Sequence, residues 1–77
     1  MRDLNLVRVA IDRMRVQVGR QRREIVQLQR AGAATAAAEA LLYRMLERLD
    51  ELRKQRERLK QAEATLLPRK QRGARHA

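Results

Sequence analysis

Seven cationic side chains are the residues of this chain whose type and spacing could do chemistry. They are Arg20, Arg22 and Arg23, gathered within about one helical turn, and Arg69, Lys70, Arg72 and Arg75 toward the C-terminus. A guanidinium presents a planar fork of donors that grips a phosphate in bidentate fashion, so such clusters point to phosphate contacts. The run from Arg53 to Lys60 adds a third basic cluster. No recognition motif accompanies them: there is no helix-turn-helix, zinc-finger or RNA-recognition signature, and Tyr43 is the only aromatic residue. One ring offers too little surface for base stacking. Contacts made this way would follow a nucleic-acid backbone and select weakly for sequence.

Catalysis has no comparable constellation. The one histidine, His76, stands beside the final residue, and no nucleophile has a base at a fixed spacing from it. The carboxylates alternate with arginines in helical sequence, where surface ion pairs account for them. The chain has no cysteine, which removes disulfides and thiolate metal sites together. The expectation is a non-enzymatic protein with no catalytic, cofactor-binding or metal-binding residues.

The formal net charge of +10 is large for 77 residues and could draw nucleic acid, an anionic surface or an acidic partner. The excess is uneven: residues 1–31 carry +5, residues 32–66 carry +1 and residues 67–77 carry +4. Most of the basic residues are arginine, which fits phosphate chemistry and equally fits the codon usage of a GC-rich genome. Arg2, Arg8, Asp12, Arg13 and Arg15 interrupt the apolar residues at the N-terminus. No run approaches a signal-peptide core or a membrane span, so a cytoplasmic protein is expected.

The elements that must position these side chains follow from periodicity. Leu4, Val7, Ile11, Met14, Val18, Gln21, Ile25 and Leu28 recur at alternating steps of three and four, the spacing of a coiled-coil seam. A second stripe runs through Ala38, Leu42, Met45, Leu49, Leu52, Arg56, Leu59, Glu63 and Leu66. Folding the chain back on itself meshes the two, with Leu28 facing Leu42, Gln21 facing Leu49 and Leu4 facing Leu66. In this register paired numbers sum to 70. The expected fold is all-α, an antiparallel two-helix hairpin. A continuous rod is disfavoured because extending the first frame would carry Glu39, Arg53 and Lys60 onto the seam.

The boundaries come from local chemistry. A first helix over 3–30 and a second over 36–67 flank a turn at 31–35, and together they form one unit over 1–67. Gly32 suits the left-handed position past a helix end, and the Thr35 hydroxyl can cap the next helix. Pro68 stops the second helix. The basic segment 68–77 lacks periodicity and is expected to be disordered.

A hairpin of this size has little core of its own, so self-association into a four-helix bundle is expected. Leu6, Val9 and Val16 trace a stripe on the back of the first helix, while Leu41 and Leu46 widen the apolar face of the second. These five are the candidate docking face, for a second copy or for a partner helix. Gln21, Arg56 and Glu63 interrupt the seam. Gln21 is the candidate for fixing register, while the other two can snorkel outward.

The stretch Arg20-Gln21-Arg22, Ile25, Leu28, Gly32, Thr35, Ala38-Glu39, Leu41-Leu42 and Arg58-Leu59 resembles a group of short alphaproteobacterial, rhizobia-like helical-hairpin proteins. The likeness covers roughly residues 7–59. This chain has Ala33 and Ala34 where the group tends to carry His and Asp. The resemblance implies the hairpin fold and a bacterial origin, and implies no activity. The functional expectation is a small structural or protein-interaction module working through helix–helix association. The alternative is non-specific nucleic-acid binding through the basic first helix and tail.

Overall fold

The structure, a computed structural model, describes the backbone of residues 2–66 and the side chains of residues 4–65. Leu67 and the basic segment with Arg69, Lys70, Arg72 and Arg75 lie outside the described residues, as does the Leu66 side chain. Two helices make up the described chain, α1 (Arg2–Arg30) and α2 (Ala36–Leu66), packed against each other along their length. At 1.5 Å per residue they are about 43 and 46 Å long. Among the described residues there is no strand, and no helix is long and apolar enough to cross a membrane. α1 starts one residue before its expected bound.

The end of α1 is closed by backbone hydrogen bonds. Ala33 N–H donates to the Leu28 carbonyl at 2.9 Å and Gly32 N–H to the Gln29 carbonyl at 3.0 Å. This nested pair is a Schellman motif, and it needs a left-handed residue at its centre. Gly32 supplies it, with φ of 72°. The start of α2 differs from the expected cap. The Thr35 carbonyl accepts the first helical bond, from Glu39 N–H at 2.8 Å, but the Thr35 hydroxyl donates to the Glu39 carboxylate, at 3.0 Å. With the glutamate four residues on rather than three, the hydroxyl engages the side chain in place of a backbone N–H.

Leu4, Val7, Ile11, Val18 and Ile25 of α1 and Leu49 and Leu52 of α2 are buried, and no polar side chain joins them. Met14, Gln21, Leu28, Leu42, Met45 and Leu59 are half-buried along the same line. The seam is shallow: even Ile11, the deepest of the core residues, keeps 3% of its surface exposed.

The register departs from the expected sum of 70. The Gln21 side-chain amide donates to the Ala38 carbonyl across the hairpin at 2.8 Å. In the expected register Ala38 would lie eleven residues along α2 from Leu49, the residue facing Gln21. That is about 16 Å, far beyond a glutamine's reach. Sliding α2 by one heptad, so that paired numbers sum to 63, brings Leu42 opposite Gln21. Ala38 then lies one turn away, with its carbonyl pointing along the helix toward Leu42. The core agrees, since Val7 and Ile11 cluster with Leu49 and Leu52, with Met14 packed against them. Val18, the expected partner of Leu52, instead lines a groove with Leu46 and Leu49.

Cysteines at Val18 and Met45 should therefore close an intramolecular disulfide on mild oxidation, read by electrophoresis without reductant. Cysteines at Val18 and Leu52 should stay open, being about 10 Å out of line.

Candidate functional site

Charge on the two helices is arranged differently. The ion pairs of α2 run along its own outer face: Lys54 to Asp50 at 3.3 Å, Arg48 to Glu51 at 3.7 Å and Lys60 to Glu57 at 3.9 Å. Such exposed pairs at three- and four-residue spacing contribute about 0.3–0.5 kcal/mol each. In α1 no arginine from Arg8 to Arg30 has an ion-pair or hydrogen-bond partner among the described residues. Among the described residues, the arginines of the first helix are therefore left without ion-pair partners.

Three arginines line one side of the hairpin. Arg15 and Arg22 of α1 and Arg53 of α2 border a groove of about 330 Å³ between the helices, floored by Val18, Gly19, Leu46 and Leu49. Arg15 and Arg22 are one heptad apart, so they stand on the same flank of the seam about 10 Å from each other. Arg53 reaches that flank from the facing helix, one heptad beyond Leu46. Gly19 sits between the two α1 arginines. A Cβ there would meet only the Arg23 Nη1 atom, at 3.8 Å, which is ordinary contact. Packing within the hairpin therefore does not require a glycine at this position.

The basic cluster Arg20, Arg22 and Arg23 is split by the helix. Arg22 borders the groove, the Arg23 guanidinium lies beside Gly19, and Arg20 falls on the outer stripe that continues Leu6, Val9, Arg13 and Val16. Sequence reasoning passed over Arg15 and took Arg53 only as part of the run to Lys60, because their place on one groove exists only once the helices are paired.

The five expected docking residues do not form one surface. Leu6, Val9 and Val16 are 67%, 46% and 55% exposed on the back of α1. Leu41 is exposed on the opposite flank of α2 from Leu46, about 140° around the helix. Leu46 is half-buried in the arginine groove, so it is not part of an outer face. Val26 and Tyr43 are exposed apolar residues that periodicity did not single out.

The polar seam residues have separate fates. Gln21 spends its amide on the Ala38 carbonyl. Arg56 lies half-buried with its Nε enclosed and without a hydrogen-bond partner, 3.8 Å from the Glu57 carboxylate. Glu63 is half-buried near the open end. Among the described residues no group of three or more His, Cys, Asp or Glu converges to hold a metal ion. No known protein family, curated protein or solved structure matches the chain.

An enclosed donor without a partner costs about 1–3 kcal/mol, and a methionine keeps the stem of Arg56 without that cost. Arg56→Met should raise unfolding stability by about 1 kcal/mol in urea denaturation. Arg58→Met, two positions on and on the exposed face, should leave it nearly unchanged.

Proposed function

We propose that this protein is a non-catalytic association module in which the back of α1 docks against a second copy, giving a four-helix bundle. The observation that carries the reading is the stripe of Leu6, Val9 and Val16, each about half exposed or more, on a hairpin whose own seam is shallow. Three aliphatic residues at helical spacing offer a face that another helix can cover. A second hairpin is the favoured occupant because the core within one copy is a single row of side chains, and association adds the burial it lacks. Arg13, between Val9 and Val16, then sits at the rim with its stem along the aliphatics. The cytoplasmic location and the kinship with alphaproteobacterial hairpin proteins belong to the same reading.

Sedimentation at micromolar concentration should give the mass of a dimer, and the melting temperature should rise with protein concentration. Val9→Glu with Val16→Glu should shift the protein toward monomer while helicity persists. A monomer whose melting is independent of concentration would refute the reading.

A second reading, non-specific nucleic-acid binding, is favoured by the arginines of α1 left without ion-pair partners among the described residues. Its contacts would be electrostatic, so its affinity must fall steeply with salt. Truncation after Leu67 should weaken DNA binding at low salt and flatten that dependence, by about one slope unit for each phosphate no longer neutralised. Tight DNA binding by the full chain at about 0.15 M salt would favour this reading over association.

A further inference from the structure

We propose that the groove between α1 and α2 is a binding site for a phosphate polyanion, gripped by Arg15, Arg22 and Arg53. The inference needs neither self-association nor the C-terminal basic segment. Two independent observations point to an occupant. The first is electrostatic: three arginines line one groove, and none has a carboxylate or carbonyl partner among the described residues. Asp12 and Glu24, the acids of α1 whose side chains are described, pair with none of them. Like charges strung along one groove repel, and an extended anion laid along them removes the repulsion and gains charge-assisted hydrogen bonds.

The second observation is steric. Glycine inside a helix costs about 1 kcal/mol relative to alanine. Nothing in the hairpin requires one at position 19, since an added Cβ would make only ordinary contact. The missing side chain opens the floor between Arg15 and Arg22, where an occupant would lie.

Phosphate is the chemistry that fits. Each guanidinium can present two parallel donors to one phosphate, which an ammonium cannot do. Arginines about 10 Å apart on one helix, met by a third from across the groove, suit an extended anion with several phosphoryl groups better than a single ion. Such phosphates occur in a free polyphosphate and in a single-stranded nucleic-acid backbone. Both share this chemistry, and the two arms of one experiment separate them.

Binding of inorganic tripolyphosphate and of a short unstructured DNA strand is measured by calorimetry at about 0.15 M salt, where long-range attraction is screened. Arg15→Gln with Arg53→Gln should lower affinity by about tenfold or more, the loss of at least one charge-assisted hydrogen bond. The charge-matched pair Arg20→Gln with Arg44→Gln, away from the groove, should change it less than about threefold. Gly19→Leu keeps every charge and improves helix propensity, yet fills the floor, and should weaken binding while the ligand-free melting temperature does not fall. The Arg15 and Arg53 pair should likewise not lower that melting temperature, because its side chains repel rather than support. Tripolyphosphate binding with this pattern assigns the site to free polyphosphate, and the same pattern with DNA alone assigns it to a nucleic-acid backbone. Equal losses from the two charge-matched pairs, or no binding of either probe at this salt, would overturn the proposal.

Discussion

A helix laid against a single neighbour hides only the stripe that faces it, and that limit governs the rest of this molecule. Each helix contributes one row of aliphatic side chains, and even Ile11 in mid-seam remains slightly exposed. There is no second layer to absorb polar groups, so the seam tolerates them only where they find an exit or a partner. Gln21 finds the Ala38 carbonyl, while Arg56, half-buried, has its enclosed Nε 3.8 Å from the Glu57 carboxylate. The same limit leaves the flanks of the seam open, and on one flank the two helices form a groove instead of a closed surface.

What the sequence makes legible and what it hides follow from the symmetry of a heptad. Leu4, Val7, Ile11, Val18 and Ile25 are recognisable as core because their spacing has only one helical interpretation. Gly32 is recognisable because few residues take a positive φ without strain. Register is not recognisable in this way. Sliding α2 by seven residues returns every seam position to an equivalent one, so periodicity accepts sums of 63 and 70 equally. The choice falls to the short turn closed by the Schellman motif and to one cross-hairpin hydrogen bond.

The arginine groove was hidden for a related reason. Arg15 and Arg53 are remote in the chain, and each alone is an ordinary surface cation. Their shared position beside the seam has meaning only when register and direction are both known. The sequence cluster Arg20, Arg22 and Arg23 looked more concentrated, yet a helix spreads consecutive residues around its circumference and aims them apart. Compactness in sequence and compactness in space are different properties on a helix, and here the two sets share only Arg22.

The turn at Gly32 also bears on how many molecules the seam joins. The rows on α1 and α2 complement each other whether or not they belong to one chain, so what favours the intrachain pair is proximity. The short link keeps the two rows at a high effective concentration for each other. A turn that opened would leave those rows free to find the same complement on a neighbour, the exchange that produces swapped dimers and, if it does not close, chains of molecules. The left-handed geometry at one glycine thus helps to keep the seam within a single molecule.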